Sequence, residues 1–115
     1  MARRHDEDDL QAALIEHIKL RGRRGLIYFH PANGGKRNAL EAARLKRMGV
    51  RAGVADLILL RNGHSYALEL KAEGGRPTES QMEFMSDWIA AGGSGCIAEG
   101  LDRALKCLET WGLIV

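Results

Sequence analysis

Two apolar segments separated by an Asn-Gly pair constrain the fold of this chain most strongly. Residues 54–60, VADLILL, and residues 65–70, SYALEL, are predicted strands, and the four residues RNGH join them. Asn-Gly is typical of a two-residue hairpin turn, because both turn positions need a positive φ. Both faces of each strand are largely apolar, which predicts that helices cover the sheet on two sides.

The rest of the chain supplies those helices. Apolar spacing of three and four residues predicts helices over 7–20, from Thr78 onward and over 101–111, and a helix or a partly ordered arm over 38–48. Short strands are predicted over 26–29 and 96–98. The chain has 115 residues, which is the length of one domain, so we expect a single domain over 1–115. The fold class that follows is α/β, with three layers.

Composition excludes several classes of protein. No apolar run approaches the roughly 18 residues that span a bilayer, and a charged N-terminal segment does not resemble a signal peptide. We therefore expect a cytoplasmic protein without a membrane partner. Cys96 and Cys107 stand in apolar surroundings without a CxxC spacing. We interpret them as buried free thiols in a reducing compartment, with neither a disulfide nor a structural zinc.

The hairpin brings three charged side chains together. A two-residue loop makes Asp56 face Glu69, with Cβ atoms roughly 4.5 to 5.5 Å apart. Lys71 is two residues beyond Glu69 and therefore points to the same face. Two carboxylates in apolar strands repel each other, and a hard cation such as Mg²⁺ resolves that repulsion. A cation so placed polarises a phosphoryl oxygen and activates water, and Lys71 is suited to orient that water.

A purely structural interpretation of these residues remains open. In it, Glu69 and Lys71 form an ion pair at a sheet edge, and Asp56 caps the start of its strand. A slipped hairpin register would also separate the two carboxylates. Glu7 has two interpretations as well. It continues the apolar stripe of the first helix, so it is a candidate for a functional acid on the core-facing side of that helix. Alternatively, an acid at this position complements the dipole at the helix N-terminus.

The charge of the chain is unevenly distributed. The formal net charge is +2, yet residues 19–51 carry +9, and the segments before and after carry −3 and −4. A basic run of this kind is either a solvated face or a surface for phosphates. Six aromatic residues in the whole chain offer little surface for stacking single strands, which favours recognition of a duplex or junction through backbone and shape.

Several of these residues together resemble a known family. Asp56, then Glu69-Leu70-Lys71, then Gln81 in the next helix, resemble the PD-(D/E)xK nuclease superfamily. The flanking segments HPANGG at 30–35 and GVRAGVADL at 49–57 resemble the VRR-NUC domain, the virus-type replication-repair nuclease, in its small stand-alone form. The resemblance extends over about 7–92. Ala55 stands where the superfamily name has proline, which carries no chemistry.

The resemblance implies a fold, a reaction and a set of site residues. It implies a restriction-endonuclease-like core with a central mixed sheet flanked by helices, and Mg²⁺- or Mn²⁺-dependent hydrolysis of DNA. Stand-alone members are homodimers that act on branched DNA such as four-way (Holliday) junctions. The matching catalytic positions are Asp56, Glu69, Lys71 and Gln81, and the matching metal ligands are Glu7, Asp56, Glu69 and the Leu70 carbonyl.

Some assignments stay open within this scheme. Thr78 with Gln81 also satisfies a helix capping box, so Gln81 has either role. Asp8 or Asp9 could replace Glu7 as the acid of the first helix. The residues that we predict to contact DNA are His30, Asn33, Lys36, Arg37, Arg44, Lys46, Arg47 and Arg51. For His30 and Asn33 the other interpretation is a turn with a hydrogen-bonded histidine. Rival functions are a non-catalytic DNA-binding module of the same fold and a nuclease for flaps, single strands or RNA.

Overall fold

The computed structural model describes residues 2–32 and 38–115, and it confirms the predicted α/β class. Among these residues, no helix combines the length and apolarity needed to cross a bilayer. The helices are α1 (Ala2–Arg21), α2 (Ala39–Arg47), α3 (Glu79–Ala90) and α4 (Leu101–Thr110), and the strands are β1 (Ile27–Phe29), β2 (Leu57–Arg61), β3 (His64–Lys71) and β4 (Ser94–Glu99).

The four strands form a mixed sheet in the order β1-β2-β3-β4. β1, β2 and β3 are antiparallel neighbours, whereas β3 and β4 are parallel. Arg61 pairs with His64 around the predicted turn. Asn62 and Gly63 have φ angles of 52° and 78° there, as a type I′ turn requires. The register predicted from the Asn-Gly pair is therefore confirmed.

The pairing of β2 with β3 ends earlier than predicted. The last pair is Leu57 with Leu68, so Asp56 lies just before the strand, and the predicted ladder pair between Asp56 and Glu69 is wrong. Gly53 explains the departure. Its φ is +79°, and a Cβ at this position would collide with the Ser80 carbonyl at the start of α3. The chain before Asp56 therefore leaves the sheet to pass against α3.

Two hydrophobic cores lie on opposite faces of the sheet. The larger core joins the sheet to α1 and α4 through residues such as Leu14, Leu59 and Leu108. The smaller core joins the other face to α3 and includes Ala67 and Phe84. Because helices cover both faces, the three-layer arrangement predicted from the apolar strands is confirmed.

The interpretation of the cysteines as free thiols is wrong. Cys96 in β4 and Cys107 in α4 form a disulfide. The spacing of 11 residues gave no sign of pairing, because it is the packing of α4 on β4 that brings the two sulfurs together. The first helix and β4 are also longer than predicted, and β1 is shorter by Leu26.

Candidate active site

The site is centred on the inner strand β3, which carries two buried charged side chains. Glu69 is 3% exposed and Lys71 is 8% exposed. Side chains alternate along a strand, so both lie on the sheet face that packs against α3. The Lys71 Nζ lies 3.5 Å from the Glu69 Oε2. β3 therefore holds a carboxylate and an amine together inside the protein.

Asp56 reaches the same place from the chain that enters β2. The Leu70 backbone N–H donates to the Asp56 Oδ2 at 2.7 Å. The His30 Nδ1 donates to the Asp56 backbone carbonyl oxygen at 2.6 Å. The contact from Leu70 in β3 positions the Asp56 carboxylate, and the contact from His30, which follows β1, positions the Asp56 backbone. The structure therefore brings Asp56, Glu69 and Lys71 together, as predicted.

The structural interpretation as an edge ion pair is only partly compatible with this geometry. Glu69 and Lys71 do form an ion pair, but β3 lies between β2 and β4 and is not an edge strand. Asp56 accepts from Leu70 in the neighbouring strand rather than capping its own strand. Burial of Glu69 and Lys71 beside the partly buried Asp56 costs more than an edge ion pair would, and stability alone does not explain it.

Burial dominates the electrostatics of both carboxyls. It raises the pKa of Glu69 to about 8, with the nearby Asp56 charge adding to the rise and Lys71 opposing it. Burial also raises the pKa of Asp56, which the Leu70 N–H opposes and the charge of Glu7 increases. Without further positive charge, the site therefore disfavours the ionised form of both carboxyls, and Glu69 keeps its proton up to about pH 8.

One buried oxygen of this site has no partner in the protein. The Glu69 Oε1 is buried and receives no hydrogen bond. Such an atom costs free energy unless an ion or a proton compensates it. Within residues 2–32 and 38–115, no three His, Cys, Asp or Glu side chains form a ready metal-ligand group. Two carboxylates nevertheless fit Mg²⁺ or Mn²⁺, because such hard cations use few protein oxygens and keep several waters.

Glu7 points toward this region from α1. It is half-buried, and its Oε2 accepts from the Ala72 N–H at 3.3 Å. Asp8 is exposed and lines an open cleft of about 360 Å³ together with His30 and Asp56. Asp9 is exposed. The inward direction of Glu7 is therefore confirmed, whereas its part as a metal ligand stays a prediction, with Asp8 as the alternative.

Gln81 occupies the capping box that its spacing with Thr78 predicts. The Thr78 N–H donates to the Gln81 Oε1 at 2.9 Å, and the Gln81 N–H donates to the Thr78 Oγ1 at 3.2 Å. The carboxamide oxygen is thus engaged at the start of α3. A catalytic part for Gln81, like the ligand part for the Leu70 carbonyl, stays a prediction.

Five of the eight predicted DNA-binding residues are among those that the structure describes, and they lie in three places. His30 lies at the site. Arg44, Lys46 and Arg47 are exposed on α2, where Arg44 pairs with Glu41 at 2.9 Å. Arg51 pairs with Asp87 at 2.6 Å, and together with Lys46 it lines a groove of about 580 Å³ between α2 and α3. Asn33, Lys36 and Arg37 lie outside the described residues.

Sequence reasoning missed one acid near the site. The Glu99 Oε2 accepts from the Gly74 N–H at 2.6 Å. In the register of the parallel strands, Glu99 in β4 lies opposite Lys71 in β3. It therefore holds the turn that follows Lys71. The signal was absent because the contact depends on β4 lying beside β3, which no local pattern reveals.

Comparison with known proteins shows the fold. The chain matches a solved structure named "VRR_NUC domain protein" with a TM-score of 0.75 and 23% sequence identity, over 92% of this chain and 87% of that chain. No family model matches the sequence, and no curated protein matches it. The chain therefore has the α/β fold of that VRR_NUC domain protein, in agreement with the resemblance drawn from its motifs.

Proposed function

We propose that this chain is a metal-dependent DNA endonuclease of the VRR-NUC type, within the PD-(D/E)xK superfamily. One observation carries the proposal. Glu69 is buried beside Asp56 and Lys71, and one of its carboxylate oxygens has no partner. This arrangement is costly in a scaffold, whereas a bound cation would compensate the two carboxylates. The likeness to a VRR_NUC domain protein supports the same conclusion.

The proposal gives each side chain a part. Asp56 and Glu69 hold Mg²⁺ or Mn²⁺, with the Leu70 carbonyl and Glu7 as further ligands. When bound, the cation supplies positive charge to a phosphoryl oxygen and acidity to water. Lys71, buried beside Glu69, donates a hydrogen bond to the attacking water or to the phosphate as negative charge develops there. Gln81 stands at the start of α3 and completes the predicted catalytic set.

The substrate in this proposal is DNA, recognised mainly through its phosphates. The cationic residues of α2 and Arg51 provide contacts that depend on charge and shape rather than on sequence. A chain of 12.7 kDa has a small footprint, so we propose a homodimer whose two sites cut two strands of a branched substrate such as a four-way junction. Gel filtration should then give about twice the chain mass, and a mass of one chain would contradict the dimer.

A cleavage panel tests the nuclease. Purified protein is incubated with a four-way junction, a 5′ flap and a linear duplex, each with Mg²⁺, with Mn²⁺ or with a chelator. We expect cleavage only with a metal, and faster cleavage of the junction than of the duplex. Cutting that survives the chelator would contradict the mechanism. Binding without cutting would favour the non-catalytic module, and equal cutting of all three substrates would remove only the preference for branched DNA.

A further inference from the structure

On the sheet face that carries Glu69, apolar side chains of β1 and of the end of β2 are exposed among the described residues. α3 contacts β3 and β4 on this face. Ile27 and Phe29 in β1 are 59% and 55% exposed, and Leu60 in β2 is 41% exposed. Phe29 pairs with Ile58, and Ile27 pairs with Leu60, so Ile27, Phe29 and Leu60 are neighbours on one face, beside Ile58, which packs against the α3 core. We call Ile27, Phe29 and Leu60 the open face.

The open face begins next to the catalytic carboxylates. Ile58 is two residues after Asp56 and continues the same side of the chain into β2. His30 follows Phe29 directly, and its ring contacts the Asp56 carbonyl. A group that rests on Phe29 therefore lies beside the site where we propose that DNA is cut.

The surroundings of the open face are cationic. Arg23 and Arg24 are exposed just before β1. Arg61 ends β2, and its Nε donates to the Arg24 carbonyl oxygen at 3.0 Å, which keeps the basic ends of β1 and β2 together. An apolar centre with a cationic margin matches a nucleotide, which has an apolar base face and an anionic phosphate.

We propose that the open face binds an unpaired base of the substrate, with Phe29 as the stacking surface. The inference rests on the proposed nuclease function and gives it a source of preference for branched DNA. A fully paired duplex keeps its bases stacked inside the helix, whereas a flap or a branch with an unpaired nucleotide offers exposed bases. A second copy of this chain is a poorer occupant, because two cationic margins would face each other across the contact.

Substitution of Phe29 tests this contact by two measurements. The first is kcat and KM on a branched substrate with an unpaired nucleotide and on a linear duplex of equal length. The second is the fluorescence of 2-aminopurine at the branch, bound in the presence of chelator so that no cutting occurs. The variants are Phe29→Ala and Phe29→Leu, which removes the ring but keeps an apolar side chain. Ile89→Ala is the control. Ile89 is 51% exposed on α3 and lies beside β4, at the edge of the sheet opposite to β1 and Phe29.

We expect Phe29→Ala to raise KM for the branched substrate about tenfold, which is the scale of one lost stacking contact. KM for the linear duplex should change less than twofold. Phe29→Leu should lose most of the fluorescence quenching, and Ile89→Ala should keep it. Equal effects on both substrates, or unchanged quenching in Phe29→Ala, would overturn the inference. A Phe29→Ala protein that changes from dimer to monomer in gel filtration would show a second copy on the open face and also overturn it.

The outcomes separate this inference from the proposed function. If the wild-type protein cuts neither the branched substrate nor the linear duplex with Mg²⁺ or Mn²⁺, the nuclease proposal fails. Quenching that is present in the wild type and lost in both Phe29 variants would still support the base contact. If the wild type cuts branched DNA and Phe29→Ala cuts it equally well, the nuclease proposal stands and the inference fails.

Discussion

Replacing Glu69 by glutamine is expected to reduce metal-dependent DNA cleavage by about 10³-fold or more. Glutamine preserves the shape of the side chain but removes the charge that is proposed to hold the cation. Loss of several kcal/mol of charge stabilisation corresponds to an effect of about this size. The measurement is the single-turnover cleavage rate on a four-way junction at saturating Mg²⁺.

The matched control for this experiment is Glu73→Gln. Glu73 is exposed in the turn after β3, so the same chemical change removes one charge outside the site. Its cleavage rate should remain within about twofold of wild type, since surface substitutions have small effects. A Glu69→Gln enzyme within tenfold of the wild-type rate would contradict the part that we assign to Glu69.

The second large effect concerns stability in the absence of metal. In the folded protein, burial raises the pKa of Glu69 from 4.5 to about 8. Below pH 4.5 the carboxyl is protonated in both states, and it imposes no penalty. As pH rises toward 8, the unfolded chain releases the proton while the folded chain keeps it, so the free energy of unfolding falls. Above pH 8 the full penalty is present.

Glu69→Gln should therefore stabilise the metal-free protein at high pH. At 1.36 kcal/mol for each unit of pKa, the gain at pH 8.5 is about 2 to 5 kcal/mol, and it should vanish near pH 4.5. Urea denaturation with chelator at both pH values measures it. Asp56 is present in both proteins, and the repulsion between its charge and that of Glu69 is part of the expected gain. A difference in stability that does not change with pH would contradict the buried, destabilised carboxyl.

The sequence predicted the parts of the site that local chemistry determines. The Asn62-Gly63 turn fixed the register, and the register placed Glu69 and Lys71 on one face near Asp56. Thr78 and Gln81 predicted the start of α3, because capping requires only a short spacing. These features follow from turn and cap geometry, which is readable within a few residues.

Other features depend on packing between distant elements and were not predictable in this way. The Gly53 loop leaves the sheet because α3 lies close to it, so Asp56 stands outside the ladder. The disulfide between Cys96 and Cys107 and the contact of Glu99 with Gly74 both need β4 in place. The open face exists because α3 lies over β3 and β4, although the largely apolar hairpin strands predict only that helices cover the sheet on two sides.

The central claim is that Asp56 and Glu69 together bind a divalent cation, and calorimetric titration with Mn²⁺ in the absence of DNA tests it most directly. We expect the wild type and Glu73→Gln to bind Mn²⁺ alike, and Asp56→Asn and Glu69→Gln each to bind at least about tenfold more weakly, because each variant loses one charged ligand. Binding by the wild type should also release protons at pH 7, since Glu69 must ionise to coordinate. Equal Mn²⁺ affinity in all four proteins, or no binding by the wild type, would contradict the account.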